Sequence, residues 1–227
     1  MLSQDNFFIL TIDGGAASGK SSSARGVAQA LDLLHVDTGA HYRAITRALI
    51  QSGTSAHSSD AIDSALAELK IGTQLMGQSA QLTINGCPPI DRELRSQAVN
   101  AQVSQFAALA PVRDKLFHYQ RSLADFARSQ KFSGLVMEGR DIGSVIFPDA
   151  PYRFFLFADE QTRAKRRQLE GQTDAIEQRD QLDRSRAVAP LTCPNGAIQI
   201  DTSQRTLPQV IQRIVDHVQS HSDEAAS

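Results

Sequence analysis

Apolar positions fall along this chain in short bursts. Phe7 to Ile12, Leu33 to Val36, Gly134 to Met137, Tyr152 to Phe157 and Ala197 to Ile200 are mainly apolar runs, separated by stretches of helical periodicity. Runs of this kind lack the alternation of a half-wet strand. With helices between them they predict five buried strands in a parallel sheet covered on both faces, hence an α/β protein. After the first run, Ala24, Val27, Ala28 and Leu31 follow helical spacing, and near the end Leu207, Val210, Ile211, Ile214, Val215 and Val218 form a longer stripe. Thr206 is the expected N-cap of that last helix with Pro208 in its first turn, and the closing HSDEAAS is small and polar, as a frayed end would be.

Two segments break the rhythm. Between Asp63 and Asp91, Leu82-Thr83-Ile84 alternates, Asn85-Gly86 is a hairpin signal and Pro88-Pro89 interrupts any central strand, which predicts an insert with its own small antiparallel sheet. From Thr162 to Arg186 the chain carries Arg163, Lys165, Arg166, Arg167, Arg179, Arg184 and Arg186 among few large apolar residues, and it reads as a mobile basic flap. For the run Arg163 to Arg167 a solvated helix face and a nucleotide contact are both open readings. No internal repeat or low-complexity linker divides the chain, so its 227 residues are expected to form one domain.

Composition narrows the partners. Hydrophobic residues make up 41% and charged residues 21%, with a net charge of -2, so the basic excess that favours duplex nucleic acid is missing. Cys87 and Cys193 lie far apart and lack neighbouring Cys or His at metal-ligand spacing, which fits a reducing compartment better than a disulfide framework or zinc site. The start MLSQDNFF has an acid where a signal peptide needs basic residues, and no apolar run reaches the roughly 18 residues of a membrane span. A soluble, cytoplasmic protein without a membrane partner is the expectation.

Directly after the first run stands GGAASGKS, Gly14 to Ser21, a G-x-x-x-x-G-K-S pattern between an expected strand and an expected helix. Gly14, Gly15, Ala16, Ala17, Ser18, Gly19, Lys20, Ser21 and Ser22 are therefore read as a nucleoside triphosphate site. Their backbone N–H groups would converge on phosphate oxygens, Lys20 supplies a point charge, and the Ser21 hydroxyl can ligate Mg²⁺. The loop leaves the phosphoryl acceptor open. The Asn-Lys-x-Asp that reads guanine in GTPases is absent.

Two more stretches bear on the acceptor. HVDTGAHYR runs from the second strand into a helix, and VMEGRDIGSVIFPDAP follows the third. Ligands of an open parallel sheet lie beyond the carboxyl ends of its strands, where Asp37, Thr38, Tyr42 and Arg43 would fall. Glu138, at the third strand's end, suits a Mg²⁺ water or the phosphate region, Arg140 offers a planar fork for an acceptor phosphate, and Asp141 can accept from an exocyclic amine. Tyr42 could equally belong to the core, and His41 is read as an exposed or packing residue.

TIDGGAASGKSSSARGVA, DTGAHYRAIT, EGRDIGSVIFPDAP and DRSRAVAPL ahead of IQIDTS together resemble bacterial cytidylate kinase, in family order and across nearly the whole chain. The resemblance implies a three-layer P-loop nucleoside monophosphate kinase fold, an acceptor-binding insert near 63–95 and a short lid near 162–186. It implies transfer of the γ-phosphoryl of ATP, with Mg²⁺, to CMP or dCMP, by a monomer. It also places Thr38, Tyr42 and Arg43 near the nucleotide, Ser104, Arg113 and Asp141 at the cytosine edge, Arg140 on the α-phosphate, Asp183 at the ribose, and Arg179 and Arg186 in the flap near the phosphates. Asp141 would disfavour uracil, whose O4 would face it. The chain departs from the family pattern in having His41 for Met or Ile, Glu138 for the common Asp, and only QLEGQTDAIEQ between Arg167 and Arg179. Another small-molecule kinase of the same fold, and a nucleotide-binding regulator without turnover, are the alternatives, and a screen of acceptors separates them.

Overall fold

The structure, a computed structural model, describes residues 7–169 and 176–224. Strand β1 (Phe8–Gly14) leads into helix α1 (Lys20–Leu31), β2 (Leu33–Asp37), α2 (Thr38–Gln51) and α3 (Ser59–Ala67). A hairpin of β3 (Ile71–Met76) and β4 (Ser79–Ile84) is followed by the short α4 (Asp91–Leu94), then α5 (Gln97–Phe106) and the long α6 (Ala110–Ser129). The chain continues through β5 (Gly134–Gly139), a π-helical turn at Ile142–Ile146, β6 (Tyr152–Phe157), α7 (Glu160–Leu169), α8 (Ile176–Arg184), β7 (Ile198–Asp201) and α9 (Leu207–Glu224).

All five expected parallel strands are present, within one or two residues of their expected ends, in the order β2-β5-β1-β6-β7. Not all are buried as expected: β7 is an edge strand that leaves Gln199 and Asp201 exposed, and β6 beside it is only partly buried. The sheet is wider than five strands. β4 joins β2 through the pair His35↔Ser79, and β3 lies antiparallel beyond it, so the hairpin extends the main sheet to seven strands. The hairpin turns at Gly77-Gln78. Asn85-Gly86, with φ of 52° and 81°, instead closes a tight turn from Ile84 to Cys87 just past β4, where the positive φ values of a type I′ turn suit Asn-Gly.

Successive strand residues face opposite sides, and this alternation sorts the core into layers. Leu10, Ile12, Val136 and Phe154 pack beneath α1 and α9 with Val27, Leu31, Ile214 and Val218. Leu34, Leu135 and Met137 face the other way, against Leu123 and Ala127 of α6. Gly26 lets α1 and α9 meet closely, since a Cβ there would lie 2.2 Å from Ile211 Cδ1. A third cluster, with Ile45, Leu49, Leu82, Phe106 and Leu116, joins α2, the hairpin, α5 and α6. β1, β2 and β5 end side by side, with Asp13 opposite Gly139 and Asp37 opposite Glu138. Among the described residues no helix is long and apolar enough to cross a membrane.

Candidate active site

Above those strand ends opens a cleft of about 840 Å³. One wall is the loop from Gly14 to Gly19. Gly14 has φ 150°, and a Cβ there would stand 2.0 Å from the Leu156 carbonyl oxygen, so only glycine lets the loop leave β1 along this path. Ala17 (φ 56°) and Gly19 (φ 89°) complete the wrap, and Lys20 begins α1 with no acid in its first turn. Lys20 Nζ donates to Gly15 O at 2.7 Å, and the Thr202 hydroxyl just after β7 lies 3.0 Å from Ser18 O. Ala16, Ala17, Ser18, Gly19, Lys20, Ser21 and Ser22 line the cleft, while Gly14 and Gly15 back it.

At the floor, Ser21 Oγ donates to Glu138 Oε2 at 2.7 Å, and His35 Nε2 lies 3.2 Å from Glu138 Oε1. Thr38 Oγ1 donates to the Glu138 carbonyl at 2.7 Å. A hydroxyl and a carboxylate side by side are hard oxygen ligands of the kind Mg²⁺ takes. Among the described residues no group of three or more His, Cys, Asp or Glu could hold a metal. A cation at Ser21 and Glu138 would thus draw its remaining ligands from phosphate and water, as Mg²⁺ commonly does.

The opposite wall gathers the acceptor-side candidates. Arg43 NH1 donates to the Leu94 carbonyl at 3.1 Å and to Asn100 Oδ1, which aims the guanidinium from α2 across α4 and α5. Arg113 of α6 forms a buried ion pair with Asp141, and its guanidinium lies 5.6 Å from the Tyr42 ring centre. Burial pushes the Asp141 carboxyl up, with Arg113, Arg186 and Arg140 pulling it back. Tyr42 lines the cleft and is nearly buried, and burial pushes its hydroxyl well above the usual value, so it stays protonated. Asp183 accepts from Ser104 Oγ at 3.1 Å and from Arg186 on Oδ1, and from Arg140 Nε at 3.0 Å on Oδ2. Ser104 and Arg113, far from the other motifs in sequence, are thus carried to the same site by α5 and α6.

Several contributors carry no signal of their own in the sequence. Asp13 is buried and accepts from the backbone N–H groups of Ile142 (2.8 Å) and Gly143 (2.7 Å), fixing the turn that presents Arg140 and Asp141; burial pushes its carboxyl up to about 7 against those two bonds. Asp180 of α8 accepts from Ala16 N–H at 2.9 Å and pairs with Arg163. Arg166 donates to Ala17 O at 3.2 Å and to Thr202 O at 2.7 Å, so this part of the basic run grips the phosphate loop. Arg167 is buried and lines the cleft, which decides its case against a solvated face. His41 is a packing residue with 1% exposure, its ring 5.2 Å from that of Tyr119. Arg179 stands on α8, and its side chain lies outside the described residues, as do residues 170–175 of the expected flap.

A family model described as cytidylate kinase matches residues 10–220. A cytidylate kinase of Salinibacter ruber is 36% identical over 223 residues, covering 93% of this chain and 97% of its own. One from Desulforamulus reducens is 38% identical over 221 residues, covering 92% of this chain and 96% of its own. At the level of fold alone, the solved structure of TT1252 from Thermus thermophilus is similar, with a TM-score of 0.51 at 14% identity over 95% of this chain and 98% of that one. The match runs from β1 and its phosphate loop through the acceptor wall to α9, and the chain belongs to the cytidylate kinase family.

Proposed function

We propose that this chain moves the γ-phosphoryl group of ATP to CMP or dCMP, giving ADP and CDP or dCDP, as a cytoplasmic monomer in pyrimidine nucleotide metabolism. The observation that carries the reading is the joining, in one cleft, of a phosphate loop and a separate wall built on Arg43, Arg140, Asp141 and Asp183. A hydrolase, whose acceptor is water, has no use for that second wall.

Phosphoryl transfer spreads charge over the moving group, so the protein mainly aligns the two substrates and neutralises charge. In this reading the loop N–H groups and Lys20 hold the ATP phosphates. Mg²⁺, when bound by Ser21 and Glu138, would offset charge on the phosphate oxygens. Arg43 and Arg140 hold the acceptor phosphate in line, with Thr38 and Tyr42 beside it. Asp141, set by Arg113, accepts from the N4 amine of cytosine, and Asp183 with Ser104 meets the sugar. The region near 63–95 forms the acceptor-binding insert, and the lid near 162–186 brings Arg179 and Arg186 to the phosphates. The hydrogen bond from Ala16 N–H of the phosphate loop to Asp180 of α8 supports that lid, whose closure on the ATP side would limit water as a competing acceptor.

The test is ADP release with Mg-ATP and a panel of CMP, dCMP, UMP, AMP, GMP and no acceptor. Turnover largely confined to CMP and dCMP, and lost in Lys20→Ala, is the expected result. Release that no acceptor raises above the acceptor-free rate overturns the reading.

A further inference from the structure

His35 is a polar residue in the middle of β2: Leu33, Leu34 and Val36 around it are fully buried, and His35 itself is only 3% exposed. It stands opposite Val136 on β5, so Glu138, two residues further on the same face, is its diagonal neighbour across the strand pair. Both ring nitrogens are engaged. Nε2 lies 3.2 Å from Glu138 Oε1 and Nδ1 lies 3.0 Å from Ser79 Oγ, while the His35 backbone N–H donates to Gln78 O at 2.7 Å. A carboxylate only accepts, so Nε2 carries the proton it shares with Glu138, while the Ser79 hydroxyl, which can donate or accept, meets Nδ1. The other oxygen of Glu138 takes the Ser21 hydroxyl at 2.7 Å.

We propose that His35 is a positioning residue for the metal corner of the site, holding the Glu138 carboxylate against Ser21 through a Ser79–His35–Glu138–Ser21 chain. The inference rests on the kinase reading above. Glutamate has one more rotatable bond than aspartate, and a carboxylate left to sample its rotamers must be ordered each time a cation binds. With Oε1 tied to His35 and Oε2 beside Ser21, that ordering is completed on folding, and each carboxylate oxygen keeps a lone-pair direction free. Partners of this kind, one step behind the ligands, typically change metal affinity 10- to 100-fold when removed. The chain also starts at Ser79, in the hairpin whose residues Ser79 to Leu82 line the cleft, so it ties the metal corner to the acceptor side.

The test is calorimetric binding of a non-hydrolysable ATP analogue with and without Mg²⁺. The ratio of the two affinities reports the metal alone, and loss of fold lowers both equally. In His35→Leu the Mg²⁺-free affinity stays at the parent value and the ratio falls about tenfold. His35→Gln, which can still donate to Glu138 and accept from Ser79, restores most of the ratio, and Ser79→Ala lowers it less than His35→Leu. A ratio unchanged in His35→Leu, or lost only in step with the Mg²⁺-free affinity, overturns the proposal. A parent without any Mg²⁺ enhancement overturns it too, together with the metal assignment, whereas turnover of the acceptor panel judges the kinase reading separately.

Discussion

Asp180 of α8 accepts a hydrogen bond from the Ala16 N–H at 2.9 Å, across 164 residues of sequence. The same carboxylate pairs with Arg163 of α7, so one side chain couples both lid helices to the phosphate loop. Truncation leaves a buried N–H unsatisfied and a guanidinium without its partner, a loss of about 1–3 kcal/mol for the neutral group alone. Asp180→Ala should therefore lower the urea midpoint and raise KM for ATP several-fold while KM for CMP holds, which steady-state kinetics with each substrate varied will read. Equal rises in both KM values would count against a link confined to the ATP side.

The Arg113–Asp141 pair makes a sharper claim about base choice. Removing one member of a buried pair is costly, so Asp141→Ala should be destabilised by about 3–5 kcal/mol. Its surviving folded enzyme should discriminate less between CMP and UMP, by about 10- to 100-fold in the ratio of kcat/KM, the span expected when a buried hydrogen-bonding group stops rejecting a mismatched partner. Competition between the two nucleotides at fixed ATP measures that ratio, and an unchanged value would remove Asp141 from cytosine reading.

Gly14 allows a test of the loop's path. Alanine there would place its Cβ 2.0 Å from the Leu156 carbonyl oxygen, at a φ of 150° that side chains rarely adopt. We expect Gly14→Ala to cost more than about 4 kcal/mol or to prevent folding, since strain and a backbone clash act together. Gly53→Ala provides the comparison: it shares a positive φ, 74°, but a Cβ there meets nothing within 4 Å. Denaturant unfolding of both separates clash from conformational strain.

His41 carries a pH dependence of stability. Neither ring nitrogen has a hydrogen-bond partner, and burial pushes its pKa down from 6.5 to about 4, with Asp37 opposing. The unfolded chain takes up this proton first, so the His41 contribution is full above pH 6.5 and falls as pH drops toward 4, by about 3 kcal/mol. Asp13 moves the parent the other way, because a carboxyl pushed up to about 7 binds its proton more tightly when folded and adds stability as pH falls below 7. Comparing parent with His41→Ile cancels Asp13. The gap between the two unfolding free energies should move in favour of the variant by that amount from pH 7 to pH 4, and a constant gap would contradict it.

Local order determined what could be read from the sequence. The phosphate loop lies within nine residues and needs only a strand before it and a helix after it, so Gly14 to Ser22 declare both their structure and their chemistry. The same holds for the five runs, apolar apart from Thr11, His35, Arg153 and Gln199, which fit the strands of a parallel sheet. The acceptor wall was legible only where motifs sit at strand ends, as Arg43, Arg140 and Asp141 do. Ser104 and Arg113 could be assigned by family resemblance alone, because their helices look alike whichever side chain faces the cleft. Tertiary structure decided the rest. The sequence predicted a separate sheet for the hairpin, yet β4 bonds to β2 through His35 and Ser79, a pairing between residues 44 apart that no local pattern encodes. Ser21 meets Glu138 across 117 residues and Asp183 meets Ser104 across 79. A hydrogen bond needs about 3 Å and a defined angle, whereas periodicity in a chain specifies only which face of an element is buried. Partners drawn from different elements are therefore settled by packing, and the roles of Asp13, His35, Asp180 and Arg167 emerge only once the layers are assembled.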